Sequence, residues 1–194
     1  MSRKEPRKIV VGITGASGAP YARRMVSVLR EHEKSGEVVL GVCASQTAPE
    51  VWALECGGDL REEIGTRVWG GRDYSAPFAS GSAGWHAMVV IPCSMSTVAK
   101  VAHGISDTLL TRAADVMLKE RRPLLLVPRE TPLSLVHLEN LTQVTRAGAV
   151  VLPAMPSFYG KPQSVEDLVD TVIGRILDHL GLPNTLSHRW GDKK

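Results

Sequence analysis

Aromatic residues are scarce: four Trp, three Tyr and two Phe make up 5% of a 194-residue chain. The interior must therefore be built from Val, Leu, Ile, Ala and Met, and an aromatic side chain left in a loop calls for a functional explanation. Cysteine is just as thin. Cys43, Cys56 and Cys93 are odd in number and show no CxxC spacing, so neither a disulfide framework nor a thiolate zinc site is suggested and a reduced, cytoplasmic setting is expected. Charge of one sign is missing too, with 23 Lys and Arg against 20 Asp and Glu, too small an excess to argue for nucleic acid. No apolar run approaches the roughly 20 residues that span a bilayer. There is no HExxH, no GxSxG and no carboxylate-rich cluster, and the six histidines are scattered. Zinc-hydrolase and serine-hydrolase readings fail for want of parts.

What is present looks globular: 43% hydrophobic and 22% charged, with 18 Gly and 12 Pro. The length suits one domain, 1–194, with a basic N-terminal tail (1–7) and a C-terminal tail (182–194). The opening MSRKEPRKIVVGITGASGA imitates a secretory leader, but its apolar run breaks at Gly12, Thr14 and Gly15, and it reads instead as strand, glycine turn and helix. KIVVGIT (8–14) is a buried parallel strand, followed by a helix over 19–33 with Tyr21, Met25, Val28 and Leu29 on one stripe. Further strands are expected at 37–45, 86–94, 121–130 and 149–153. Helices are expected near 49–54, at 95–101, 107–120 and 134–147, and from Ser164 to Leu180, where a hydroxyl cap precedes an acidic first turn. Residues 56–84, rich in Gly, Ser and Pro, read as one long irregular loop of the kind that is often functional. This alternation predicts an α/β fold: an open, mostly parallel sheet with helices on both faces, Rossmann-like or flavodoxin-like. Ligands in such folds bind beyond the carboxyl ends of the strands.

Those ends carry distinctive residues. GITGASGA puts Gly12, Gly15 and Gly18 three apart. It is neither GxGxxG nor a P-loop, yet its amides and the Ser17 hydroxyl could face an anion at the next helix start; a plain tight turn explains it equally well. PCSMST supplies Ser94, Ser96 and Thr97 at a helix start, three hydroxyls where capping needs one. PRETP places Arg129 and Glu130 directly after a buried strand, as a site or as a surface ion pair. Lys119 and Arg112 lie seven apart, hence roughly 20° apart on one helix face, and could meet an anion or simply be solvated. Tyr159 sits in the proline-rich PAMPSFYGKP, and Arg175 flanks the apolar stripe of the last helix.

The segments GITGASGAPYARRM, APFASGS, PCSMST, TRAADVMLKERRPLLLVPRETPLS, GAVVLPAMPSFY and PQSVEDLVDTVIGRILDHLGL resemble the flavin prenyltransferase (UbiX/Pad1-type) family over about residues 8–190. The run from Thr111 to Pro132 is the most specific. The resemblance implies a cytoplasmic, metal-independent prenyltransferase that forms a homododecamer with active sites at subunit junctions. It implies transfer of dimethylallyl from the monophosphate, or the diphosphate, to N5 and C6 of reduced FMN, giving prenylated FMN for a UbiD-type decarboxylase. FMN would be held by Gly15, Ala16, Ser17, Ser45, Ser94, Met95, Ser96, Thr97 and Arg129. The prenyl phosphate would meet Lys119, Arg129, Tyr159 and Arg175. Glu55 and Glu130 match acid/base positions, with Lys119 also catalytic. Tyr74, in RDYSAPFASGS, stands where the family often has Trp and would be the π wall for an allylic cation. Trp85 falls where the pattern requires nothing and reads as core or interface. An FMN-dependent cysteine decarboxylase of the phosphopantothenoylcysteine type would need a PASANT-like turn where this chain has PCSMST. A noncatalytic FMN-delivery subunit would not need Lys119, Glu130, Tyr159 and Arg175 together, and a direct arylic-acid decarboxylase lacks an identifiable proton donor.

Overall fold

A computed structural model describes residues 5–191. The elements are β1 (Arg7–Ile13), α1 (Ala19–Lys34), β2 (Val38–Ala44), α2 (Ala48–Cys56), α3 (Leu60–Ile64), β3 (Val68–Gly70), β4 (Ala87–Cys93), α4 (Met95–Ala102), α5 (Leu109–Lys119), β5 (Leu124–Pro128), α6 (Leu135–Arg146), β6 (Val150–Val151) and α7 (Val165–Leu180). All strand pairs are parallel. The six-stranded sheet runs β3-β2-β1-β4-β5-β6, the strand order of doubly wound nucleotide-binding sheets, and reverses direction between β1 and β4.

Side chains alternate across the sheet with a period of two. Ile9, Val11 and Ile13 of β1 and Ala87, Val89 and Ile91 of β4 pack with Met25 and Leu29 of α1 and Ile173 and Ile176 of α7. Val10, Met88, Val90, Leu124 and Leu126 face the other way, onto α4, α5 and α6. Both faces are dry, which is why these strands read as unbroken apolar runs rather than as alternating ones. A two-point ion pair, Arg24 Nε to Asp170 Oδ1 at 2.6 Å and Nη2 to Oδ2 at 2.8 Å, ties α1 to α7.

The expected loop at 56–84 is more structured than the sequence suggests. It contains α3, the edge strand β3 and single 3-10 turns at Pro77–Ala79 and Gly81–Ala83. Asp59 starts α3 by accepting hydrogen bonds from the Arg61 and Glu62 amides. The segment also closes one face: Phe78 sits edge-on between Trp69 and Trp85, at centroid distances of 6.3 and 5.4 Å. Trp85 is thus a core residue, as expected. The expected C-terminal tail needs correction. Leu182 is buried in the core, and Asn184 and Arg189 bond to Asp178 of α7, so the segment is tied back to α7, although past Leu182 it stays at the surface and Trp190 is 86% exposed. In the expected basic tail, Arg7 already belongs to β1; residues 1–4 and 192–194 of the two tails lie outside the described residues.

Gly41 of β2 leaves the space that Trp85 and Phe78 fill, since a Cβ there would stand 2.8 Å from the Trp85 ring and 3.0 Å from that of Phe78. Gly41→Val should therefore lower unfolding free energy by about 1–3 kcal/mol, read as a shift in the urea midpoint. Gly36→Ala, at a turn with nothing near its Cβ but a positive φ, should cost less.

Candidate active site

The reversal between β1 and β4 is stitched by Thr14. Its buried hydroxyl donates to the Pro92 carbonyl at 2.7 Å and accepts from the Ser94 amide at 3.0 Å. Two loops are thereby held against each other. On one side is the glycine turn. Gly18, with φ +121°, has no side chain to cap α1, so the cap comes from α2: Glu55 Oε2 accepts from the Gly18 and Ala19 amides at 2.8 and 2.7 Å. Desolvation opposes ionisation of Glu55, but hydrogen bonds from Ser17 and the two amides, with the Arg129 charge, outweigh it and hold the carboxyl below its ordinary range. At neutral pH Glu55 is thus a carboxylate, able to anchor or accept a proton. Arg129 reaches the same turn, its Nε donating to the Ser17 carbonyl at 2.9 Å.

On the other side, Ser94 caps α4. Its hydroxyl accepts from the Thr97 amide and lies 3.0 Å from the Ser96 hydroxyl and 2.9 Å from that of Thr97. Between the two loops opens a cleft of about 250 Å³ lined by Thr14, Gly15, Ser45, Thr47, Ser94, Ser96 and Thr97, then Lys100, Thr108, Leu110 and Thr111. The expected residues of 15–17, 45, 94–97 and 129 therefore converge at one edge of the sheet. Met95 is an exception in its side chain, which is buried in the core. Glu130 stands at the same edge, exposed, its carboxylate accepting from the Thr131 amide. Tyr74 is exposed in the loop after β3. That loop bonds to the start of α5, Arg72 Nε to the Asp107 carbonyl and the Leu109 amide to the Gly71 carbonyl.

A second group forms elsewhere. Tyr159 packs edge-on against Trp190 at 5.7 Å and lies 6.5 Å from His188. With Arg175, Asp178, Asn184, Ser187 and Arg189 these residues line a separate cavity of about 480 Å³. Arg175 and Arg189 both pair with Asp178, at 3.0 and 2.7 Å. Burial opposes the Asp178 charge, but hydrogen bonds from Arg189 and Asn184 and the two guanidinium charges overcome it, so its pKa is lowered. The two cavities share no lining residue.

Lys119 belongs to neither group. It ends α5 and pairs with Glu120, at the edge of the sheet where β5 begins. Arg129 follows the other end of that five-residue strand, roughly 17 Å away at about 3.3 Å per residue. Within one chain the two cations thus stand at opposite edges of the sheet, because a helix antiparallel to the strands delivers its last turn to the edge where they begin. Arg112, expected on the same face, is spent on the Ala79 carbonyl and Asp115. Sequence reasoning missed Trp190, although its position in a chain so poor in aromatics was a signal. It also missed Lys100, Thr108 and Thr111, which only the folding of α5 against α4 brings to the cleft. Cys43 and Cys93 are inert: burial raises both thiols, Cys43 to about 12. Among the described residues no group of three or more His, Cys, Asp or Glu could hold a metal, and no helix is long and apolar enough to cross a membrane.

Comparison with known proteins bears on this arrangement. The Flavoprotein family model matches residues 1–177. The flavin prenyltransferase UbiX of Pseudomonas aeruginosa is 45% identical, covering 97% of this chain and 96% of its own. That of Escherichia coli K12 is 43% identical, covering 95% and 98%. The chain belongs to the flavin prenyltransferase family. Among solved structures, AnUbiX (PadA1) in complex with FMN and dimethylallyl pyrophosphate superposes with a TM-score of 0.91 at 41% identity, over 97% of this chain and all of that one. A dodecameric FMN-dependent UbiX-like decarboxylase of Escherichia coli O157:H7 gives 0.90 at 41% identity, over 95% of this chain and all of its own. The FMN-dependent cysteine decarboxylase SpaF shares only the fold, at 15% identity and a TM-score of 0.60.

The prenyltransferase's own cleft fits the polar end of a flavin mononucleotide. Its lining is hydroxyls, a glycine, one leucine and one cation, and a Cβ on Gly15 would run into the Thr47 side chain. Gly15→Ala should accordingly weaken FMN binding by tenfold or more in a fluorescence titration, and adding Thr47→Ala should restore most of it. Unchanged binding in the single variant would remove Gly15 from the site. For Glu55→Ala, loss of the carboxylate that caps the α1 start should cost about 1 kcal/mol at neutral pH. Because the folded-state pKa is depressed, this contribution is full above the unfolded value and vanishes as pH falls through the folded one. Denaturation of both proteins across that range should show the two curves merging in acid.

Proposed function

We propose that this chain is a flavin prenyltransferase which joins a dimethylallyl group, from its monophosphate or diphosphate, to FMN. The observation that carries the reading is the pairing of a hydroxyl-lined cleft at the β1/β4 reversal with an aromatic and arginine cavity on α7, on a chain 45% identical to such an enzyme over 97% of its residues. Gly15, Ala16, Ser17, Ser45, Ser94, Ser96, Thr97 and Arg129 would hold FMN, with Met95 contributing backbone. When bound and reduced, FMN supplies N5 and C6 as the acceptors of the prenyl group.

The protein's part is electrostatic. As the allylic C–O bond stretches, negative charge collects on the departing phosphate and positive charge on the allyl carbons. Arg129, Arg175 and Lys119 answer the first. The π faces of Tyr159, Trp190 and Tyr74 answer the second. Glu130, when it carries a proton, would give it to the departing phosphate oxygen, and Glu55, held ionised, would accept one. Since Lys119, Arg175 and Arg129 lie in separate places on one chain, the reading requires that copies of the chain complete each other's sites. Exposed Leu135, Val136 and Leu138 on α6, with Met155 and Phe158 in the loop after β6, supply apolar surface for such contacts, and a dodecamer fits this. The product, prenylated FMN, would serve a UbiD-type decarboxylase.

Incubation with reduced FMN and either dimethylallyl phosphate, followed by mass spectrometry of the flavin, should show the gain of one dimethylallyl unit. No gain with either phosphate would sink the reading. Glu130→Gln should slow the transfer at least tenfold while FMN stays bound; loss of FMN would instead assign Glu130 to flavin binding.

A further inference from the structure

We propose that Lys100 is the counter-charge for the phosphate of bound FMN and that Asp107 is its positioning partner. This rests on the prenyltransferase reading and adds to it a residue that the family resemblance did not single out.

Among the described residues that line the cleft, Lys100 alone carries a charge. The rest are hydroxyls, a glycine and a leucine, good hydrogen-bonding partners that cannot neutralise a dianion. A cleft of about 250 Å³ is too small for a tricyclic ring system with its tail, since pockets for drug-sized ligands run from about 300 to 1,000 Å³. The part of FMN that fits is its narrow, charged end. The field in the cleft points the same way. Two helices begin there, α4 capped by Ser94 and α5 capped by Thr108, and both direct the positive ends of their dipoles at it.

Lys100 is placed to add to that field. It follows Ser96 by four residues and Thr97 by three, so all three share one face of α4. A lysine stem easily spans the about 5.4 Å of one turn back toward the helix start. Its ammonium is fixed by Asp107 Oδ2 at 2.7 Å, and Asp107 is in turn reached by the Thr111 hydroxyl, another cleft residue. With both side chains about two-fifths exposed, the pair contributes little to folding. One carboxylate occupies one of three ammonium hydrogens and leaves two for a phosphate oxygen. The other nearby cation, Arg129, is directed at the Ser17 carbonyl and the Glu55 carboxylate on the far side of the glycine turn.

The test compares FMN with riboflavin, which lacks the phosphate, by titrating flavin-free protein and following flavin fluorescence. Wild type should prefer FMN strongly. In Lys100→Met, FMN affinity should fall tenfold or more, riboflavin affinity should stay within twofold, and the salt dependence of FMN binding should flatten. Lys100→Arg should recover most of the loss. Asp107→Asn, which leaves the ammonium without the carboxylate that fixes it, should lose FMN affinity by a smaller factor than Lys100→Met, with riboflavin again unchanged. Equal losses for both flavins in Lys100→Met, or an Asp107→Asn variant that loses FMN as severely as Lys100→Met, would show that the pair only staples α4 to the next loop and would overturn the inference. Wild-type protein that binds neither flavin would overturn the prenyltransferase reading with it; wild type that binds FMN and riboflavin alike would overturn only the role of Lys100.

Discussion

Everything at the business edge of this molecule hangs on the buried Thr14 hydroxyl. In a doubly wound sheet the two strands at the reversal send their following chains to opposite faces, which opens a crevice and also leaves the strand ends without lateral support. Thr14 supplies that support with one oxygen, donating to the Pro92 carbonyl and accepting from the Ser94 amide. The glycine turn and the start of α4 are thus kept at a fixed separation before any ligand arrives. Glu55 does the same for the start of α1 from outside the turn. A cleft built in this way is preorganised, so its donors need no rearrangement to meet an anion.

The scarcity of aromatics gains a physical meaning from the fold. Phe78, Trp69 and Trp85 are committed to sealing one face of the sheet, and Trp52 is buried against the other. Tyr74, Tyr159 and Trp190 are at least partly free of that work. The protein has few rings to spare; of those it leaves exposed, Tyr74, Tyr159 and Trp190 are the π faces that the proposed function calls on, and Phe158 belongs to the apolar surface proposed for contacts between copies.

The strands and long helices were legible in the sequence because each is a local pattern: KIVVGIT is a dry strand, and Ser164 with its acidic first turn is a helix start that the structure reproduces as a full capping box. The glycine turn, Ser45, the 94–97 turn and Arg129 could be placed together because strand ends in such a sheet share one edge. What escaped is non-local. The segment 56–84 gains its edge strand because β2 offers a partner, and it closes over the sheet because Gly41 makes room for Trp85 and Phe78. Lys119 follows the family pattern, yet a single chain sends it to the edge opposite Arg129, which local sequence does not reveal. Trp190 sat in what looked like a tail, and nothing in HRWGD reveals that Asp178 draws Arg189, and the ring beside it, onto α7.

The segment beyond α7 also sets an order of events during synthesis. Every residue that lines the cleft at the β1/β4 reversal precedes Arg129 in the chain. Tyr159, Arg175 and Trp190 emerge last, and the cavity they line forms only when residues 182–190 have left the ribosome and folded back. Yet α7 carries Ile173 and Ile176, which cover one face of the sheet, so a chain that ends before it has the cleft's residues without the core that holds them in place. The cleft is synthesised early and made rigid late.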